Sequence, residues 1–212
     1  MVRIGRVFLL MSTVATGLMT ASSAFARDDV RVFMMRGFLD VSTGLDDLAV
    51  KLKRQAIPAD VTTYIAEPDV ASAALRYYKL KPGRKIVLVG HSLGANAAVN
   101  VARELQNANV PVALLVAFSP ADSKAVPGNV ARAIDYYQSN STAFNTPYSR
   151  GVGFSGTLRN IDLAKDANIH HLNIEKSPRL HAETIRQITS LANTQSALVE
   201  RQTAATAAGQ RK

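Results

Sequence analysis

The segment Gly90-His91-Ser92-Leu93-Gly94 has the residue types and spacing that hold a serine nucleophile on a sharp turn. It follows an apolar run at 85–89 that favours a buried strand, and it precedes an Ala-rich stretch at 95–105 that favours a helix. A chain that turns directly from strand to helix strains the residue at the apex and leaves no room for side chains two residues before and after it. The pattern therefore predicts that Ser92 presents its hydroxyl at a helix N-terminus, where developing negative charge is stabilised. The alternative is a structural turn whose serine only caps the helix.

A serine hydroxyl needs a base to remove its proton, and that base needs a third group to orient it. Three histidines follow Ser92 in the sequence: His170, His171 and His181. His171 lies in the loop before the last predicted helix and is the predicted base. His181 falls in the first turn of that helix, where a capping or surface role is expected, and the side chain of His170 should point away from that of its neighbour. His91 is too close in sequence to the serine to act as its base.

Three aspartates are candidates for the orienting acid. Asp122 follows the strand after the elbow helix, on the same sheet edge as Ser92, and is the predicted acid. Asp162 lies in the last predicted strand shortly before His171, and Asp135 is a third candidate. The alternative for each is a cap or a surface charge. The chain has no cysteine, and the histidines have no acidic partner at ligand spacing, so neither a metal nor a cofactor is predicted.

Apolar runs alternate with helical patterns along the chain, and this alternation predicts a parallel sheet covered by helices on both faces. The predicted fold class is α/β, a three-layer α/β/α sandwich. A long loop at 139–156 is expected to wall a substrate pocket, with Tyr136, Tyr137, Phe144 and Tyr148 available to line it; the alternative is that these are ordinary core and surface aromatics. The predicted strands are 30–37, 60–66, 85–89, 112–118, 130–137 and 157–163, and the predicted helices are 43–55, 70–79, 95–105 and 178–193.

These motifs resemble the α/β-hydrolase superfamily, in particular its small serine esterases, lipases and thioesterase-like members without a large lid domain. The likeness spans roughly 30–192 and is carried by the Ser92 elbow, by Arg36-Gly37 at a strand end and by His171 before the last helix. It implies an oxyanion hole formed by the backbone N–H of Leu93 and that of Phe38 or Leu39. The alternative for Gly37 is an ordinary turn glycine.

One position departs from this resemblance. Many lipases of the superfamily have Leu-Asp-Pro-Ala after the elbow helix, with that aspartate as the triad acid, whereas this chain has Phe118-Ser119-Pro120-Ala121. Ser119 therefore stands at the expected acid position. Either Asp122 reaches the histidine, or Asp162 does, or the triad is incomplete.

The resemblance implies a serine hydrolase that cleaves an ester or thioester through an acyl-enzyme, acting on a small-molecule or lipid-like acyl substrate. Two other functions remain open. One is a non-catalytic binding protein of the cell envelope with this fold and a decayed triad, which Ser119 suggests. The other is an amidase or peptidase that uses the same residues.

The first 26 residues have the features of a secretory signal. Arg3 and Arg6 precede an apolar run, and Ala24-Phe25-Ala26 offers a cleavage site, so export to the periplasm or beyond is predicted, with cleavage after Ala26 and no transmembrane span in the mature chain. The hydrolase domain is expected at 27–196, followed by a disordered tail at 197–212.

The chain of 212 residues carries a net charge of +9, of which +7 remains without the two arginines of the signal segment. This balance predicts association with anionic envelope surfaces. The basic residues sit near helix ends and strand starts rather than along a recognisable module, so nucleic-acid binding is not expected.

Overall fold

A computed structural model describes residues 29–209, with side chains described up to residue 193. Residues 1–28 and 210–212, and with them the predicted signal segment, lie outside the described residues. Within the described range, no helix is both long and apolar enough to cross a membrane. The elements are β1 (Val30–Arg36), α1 (Gly44–Lys53), β2 (Ala59–Thr63), α2 (Glu67–Leu80), β3 (Lys85–His91), α3 (Leu93–Asn107), β4 (Leu114–Phe118), β5 (Ala125–Val126), β6 (Arg132–Tyr137), β7 (Ser149–Arg150), β8 (Thr157–Asp162) and α4 (Pro178–Gly209).

Six strands form a single sheet in the order β2-β1-β3-β4-β6-β8, and each neighbouring pair is parallel. The elbow strand β3 lies between β1 and β4, near the middle of the sheet. Since all six strands run in one direction, their carboxyl ends meet at one edge, which is where open α/β sheets bind ligands. The predicted fold class is confirmed.

The sheet is buried on both faces, which explains why its central strands are almost continuously apolar. Alternate residues of β1 and β3 belong to different halves of the core. Phe33 and Leu88 pack with residues of α2 and α3, whereas Met34 and Val89 pack with residues of α1 and α4. Helices therefore cover both faces of the sheet and fix the position of its carboxyl edge.

Two parts of the chain differ from the sequence-based expectation. The predicted loop at 139–156 contains β7, which pairs in parallel with β5 as a second, two-stranded sheet. Strands of two residues are too short to leave a periodic pattern in the sequence. The last helix, expected to end at 193, continues to Gly209. Five of the thirteen residues at 197–209 are Ala, which has the highest helix propensity.

Candidate active site

Ser92 sits at the end of β3 in a strained backbone conformation, with φ 55° and ψ −124°. The two glycines of the motif allow this turn for separate reasons. A Cβ on Gly90 would collide with the carbonyl of Gly94, and a Cβ on Gly94 would collide with the carbonyl of Met35 in β1. The Ser92 N–H donates to the Phe118 carbonyl at 3.1 Å, so the elbow is also tied to the end of β4. Strain of this kind persists where the surrounding structure enforces it, commonly at functional sites.

The imidazole of His171 is held at the same sheet edge. Its Nδ1 is 2.7 Å from Ser119 Oγ, and its ring stacks on Phe144 with centroids 3.8 Å apart and planes inclined by 17°. Burial is the main cause that lowers the pKa of His171, and the charge of His170 adds to it. The imidazole is therefore neutral near pH 7, the form a general base requires. In the part of the chain that the structure describes, no hydrogen bond joins Ser92 Oγ to His171.

Ser119 occupies the place where an orienting carboxylate would be expected. It follows β4 directly, is almost fully buried, and has φ 44°, a left-handed conformation that only a minority of residues other than glycine adopt. Its N–H donates to the Tyr136 carbonyl at 2.7 Å, which fixes the backbone against β6. The hydroxyl of Ser119 is therefore aimed at His171 by a constrained backbone.

The three aspartates proposed from the sequence have other partners. Asp122, the predicted acid, accepts from Asn96 Nδ2 at 2.9 Å, and its own N–H donates to Asn96 Oδ1 at 3.3 Å. Asp162 accepts from the hydroxyl of Ser139 at 2.6 Å on the protein surface. Contrary to the expectation for Asp122, the recorded partner of His171 Nδ1 is the hydroxyl of Ser119. The reason is that the chain places Ser119 directly at the strand end, whereas Asp122 lies three residues further along and faces α3.

Asp135, the third candidate, lies in β6 with no exposed surface. One carboxylate oxygen accepts from the Tyr148 N–H at 2.9 Å, and the other has no hydrogen-bond partner in the described chain. Burial raises the pKa of Asp135 to about 7. Between pH 4 and 7 the native state therefore keeps a proton that the unfolded chain releases, and the stability of the protein falls as pH rises through this window.

The variant Asp135→Asn should remove this pH dependence. Each pKa unit corresponds to about 1.4 kcal/mol, so from pH 5 to pH 8 the unfolding free energy of the variant should rise by about 3 kcal/mol relative to wild type. Urea unfolding of both proteins at the two pH values measures this difference. Other titrating groups, His91 included, are present in both proteins and cancel. If the unfolding free energies of the two proteins change equally between pH 5 and pH 8, Asp135 is ionised over this whole range.

His91 connects the two loops that flank the elbow. Its Nδ1 lies 2.7 Å from Ser42 Oγ, and its Nε2 lies 2.8 Å from the His171 carbonyl. Ser42 Oγ also accepts from the Gly37 N–H at 2.9 Å. One arrangement satisfies every atom: Gly37 donates to Ser42, Ser42 donates to Nδ1, and the Nε2–H of a neutral His91 donates to the carbonyl. Burial lowers the pKa of His91 to about 4, which keeps this tautomer neutral.

Replacing His91 by phenylalanine should lower kcat about tenfold, because the His171 loop loses its tie to the Gly37 loop and small displacements of catalytic groups are costly. The matched control is His181→Phe. His181 is equally buried, and its ring nitrogens contact Lys51 Nζ at 2.9 Å and the Glu175 carbonyl at 2.6 Å. Both variants should lose about 1–3 kcal/mol of stability, but only the change at His91 should alter kcat of the folded enzyme. A kcat of His91→Phe equal to that of wild type would contradict the role of His91.

The other histidines named from the sequence lie elsewhere. Both ring nitrogens of His181 are engaged between α1 and the start of α4, and the side chain is buried rather than on the surface as expected. His170 is exposed, and its backbone N–H is capped by Asn173 Oδ1 at 2.8 Å. Ser42 is a connection that the sequence analysis did not identify, because no local pattern links it to His91. Ser119 was recognisable in the sequence, because it stands where many lipases of the superfamily have the aspartate of Leu-Asp-Pro-Ala.

The predicted oxyanion donors lie on either side of the elbow. Leu93 is the first residue of α3, so its N–H has no partner within the helix. Gly37 packs against Ser92 so closely that a Cβ on it would come within 2.9 Å of the serine Cβ, and Phe38 is the next residue along the chain. Among the described residues, neither the Leu93 nor the Phe38 N–H has a recorded acceptor. Both remain predicted donors to a substrate oxygen.

A central parallel sheet with helices on both faces, and a strained serine between the middle strand and its helix, defines the α/β-hydrolase fold. The resemblance to this superfamily that the sequence predicts is confirmed. A family model described as serine hydrolase matches residues 64–147, a segment that includes the elbow, β4 and Ser119.

No curated protein matches the chain in sequence. Among solved structures, the RedJ thioesterase of the prodiginine pathway of Streptomyces coelicolor is 12% identical, with 75% of this chain and 86% of that chain covered and a TM-score of 0.49. A protein described as a yden-like hydrolase of Pectobacterium atrosepticum is 12% identical, with 80% and 94% covered and a TM-score of 0.47. The catalytic core of an acetyl xylan esterase from Trichoderma reesei is 14% identical, with 79% and 98% covered and a TM-score of 0.39. Likenesses at this level give no information about the substrate of this chain.

Proposed function

We propose that this chain is an exported serine hydrolase that cleaves carboxylic esters or thioesters through an acyl-enzyme on Ser92. The observation that carries the proposal is the strained serine at the N-terminus of α3, at the same sheet edge as an imidazole that Ser119 holds by Nδ1 at 2.7 Å. The match of 64–147 to the serine hydrolase family supports it.

In the proposed mechanism, Ser92 Oγ attacks the carbonyl carbon while Nε2 of His171 takes the hydroxyl proton. The carbonyl oxygen becomes an oxyanion, which the backbone N–H groups of Leu93 and Phe38 stabilise. The imidazolium then gives its proton to the departing alcohol or thiol. Water repeats the sequence on the acyl-enzyme and releases the acid, which restores Ser92 and the neutral imidazole.

The neutral partner of His171 favours ester and thioester substrates over amides. Ser119 Oγ accepts from the Nδ1–H and so fixes the ring, but a hydroxyl stabilises the imidazolium less than a carboxylate does, because hydrogen bonds to ionised groups are about twice as strong. An amine is a poorer leaving group than an alcohol. Its departure therefore depends more on proton donation by a well-stabilised imidazolium. Amidase or peptidase activity is therefore the less favoured assignment for this site.

A cavity beside the imidazole is a suitable place for the leaving group. It has a volume of about 490 Å³ and lies between the loops that follow β6 and β8, with His171 and Phe144 in its wall. Asn140, Ser141 and Thr142 supply amide and hydroxyl groups on the other side. A leaving alcohol must lie next to the histidine that protonates it, so this cavity is the proposed site of the leaving group.

The proposal is tested by covalent labelling. The purified protein incubated with a fluorophosphonate should gain one phosphonyl group, and peptide mapping should place it on Ser92. The same preparation should hydrolyse p-nitrophenyl acetate. Folded protein that is neither labelled nor active would remove the enzyme assignment.

A non-catalytic envelope binding protein is the second candidate. Two observations favour it: no carboxylate contacts His171 in the described chain, and no hydrogen bond joins this histidine to Ser92. Such a protein should resist labelling yet keep its fold. Unlabelled but folded protein would thus select this candidate over the hydrolase.

Export and attraction to anionic envelope surfaces also remain proposals. They rest on the apolar run that precedes the cleavage site Ala24-Phe25-Ala26 and on the net charge of +9. N-terminal sequencing of the protein recovered outside the cytoplasm should begin at Arg27. An intact first methionine on that material would contradict cleavage.

A further inference from the structure

Exposed apolar side chains are concentrated at the sheet edge that carries Ser92. Eight large apolar residues are exposed in the described chain, and five of them follow the carboxyl ends of strands or adjoin His171. Three of these follow Gly37 beside the elbow, and we refer to them as the rim: Phe38 at 59% exposure, Leu39 at 75% and Val41 at 53%. Leu172, at 63% exposure, instead lines the cavity beside His171. Clusters of exposed apolar side chains on a soluble fold commonly mark a binding surface.

The rim borders the nucleophile on the side of Gly37. Phe38, Leu39 and Val41 follow Gly37, which packs directly against Ser92. The leaving-group cavity lies on the other side, next to His171, whose carbonyl is bound by His91 at 2.8 Å. The backbone is strained where it exposes the rim residues, since Leu39 and Asp40 both have positive φ, 55° and 56°. Backbone strain that turns a leucine side chain towards solvent does not stabilise the fold. We therefore attribute this strain to the binding of a partner outside the chain.

The orientation of an ester in this site assigns a substituent to the rim. The carbonyl oxygen must point at the N–H groups of Leu93 and Phe38, and the leaving oxygen must face His171. The remaining substituent of the carbonyl carbon is the acyl chain. With the leaving group on the His171 side, the acyl chain runs along the loop that carries Phe38 and Leu39.

We propose that the substrate carries an apolar alkyl acyl chain, and that this chain lies on the rim at Phe38, Leu39 and Val41. This inference rests on the proposed function and names its substrate class. Methylene groups gain free energy when they leave water for an apolar surface, and this gain raises kcat/KM when the chain stays bound in the transition state.

The test compares p-nitrophenyl acetate, butyrate and octanoate, each below its solubility limit, in wild type and two variants. In wild type, kcat/KM should rise at least about tenfold from acetate to octanoate. Leu39→Asn keeps a residue that tolerates the left-handed conformation and removes the apolar side chain, so the rise should fall to about twofold. The control, Leu80→Asn, changes a residue that is 80% exposed at the end of α2, near the opposite sheet edge, and should keep the wild-type rise.

The outcomes separate this inference from the proposed function. A wild type that hydrolyses all three esters equally would overturn the acyl assignment and leave the hydrolase intact. A wild type with no activity and no fluorophosphonate label would remove the hydrolase itself. Binding to phosphatidylcholine vesicles distinguishes a substrate chain from a lipid surface: if Leu39→Asn loses vesicle binding but keeps the chain-length preference, the rim contacts lipid and the acyl assignment is wrong.

Discussion

Replacing Ser92 by alanine is expected to reduce ester hydrolysis by at least about 10⁴-fold, because the acyl-enzyme has no atom on which to form. Residual hydrolysis should come from direct attack by water, with the oxyanion donors still stabilising the transition state. The measurement is kcat for p-nitrophenyl acetate in wild type and variant at pH 7.5. The hydroxyl of Ser92 makes no recorded hydrogen bond in the described chain, so its removal should leave the unfolding midpoint nearly unchanged.

Two further variants sharpen this test. Ser123→Ala removes a hydroxyl that donates to the Pro147 carbonyl at 2.7 Å on the exposed loop after β4, and it should keep wild-type kcat. His171→Ala should approach the loss seen for Ser92, because the base and the nucleophile act as a unit. A Ser92→Ala variant with kcat within tenfold of wild type would show that another group performs the reaction.

Replacing Ser119 by aspartate is expected to raise kcat about tenfold or more. A carboxylate that accepts from Nδ1–H would stabilise the imidazolium that forms as Ser92 attacks, whereas the hydroxyl stabilises it weakly. Aspartate also tolerates the left-handed backbone that serine adopts here, with φ 44°. The new charge should raise the pKa of His171, so the acid limb of the pH profile of kcat/KM should move to higher pH.

The controls separate charge from position. Ser119→Asn has the size of the aspartate without its charge and should not raise kcat. Ser119→Ala removes the only recorded partner of Nδ1 in the described chain and should lower kcat about tenfold, because the ring loses its orientation. If Ser119→Ala has wild-type kcat and an unchanged pH profile, Ser119 is not a positioning residue.

Much of the fold was readable from local pattern. The strands β1, β3 and β4 are buried on both faces, so their apolar runs appear in the sequence without interruption. The elbow was equally accessible, because its two glycines and the serine lie within five residues and their spacing follows from steric conflict at the turn. The short pair β5 and β7 and the helical extension to Gly209 were not, since neither depends on a periodic apolar face.

The sequence alone predicted a serine on a strand-to-helix turn, which the structure shows. It also named His171 as the downstream histidine that meets this serine, and that assignment stays a prediction. Only the tertiary structure decided what stands behind that histidine. Asp122 and Ser119 are three residues apart, and their side chains take different partners, Asn96 and His171, because the register of β4 and the left-handed turn at Ser119 fix where each side chain points. Contacts between residues 49 and 80 positions apart, such as those of His91 with Ser42 and with the His171 carbonyl, likewise arise only when the sheet brings its strand ends to one edge.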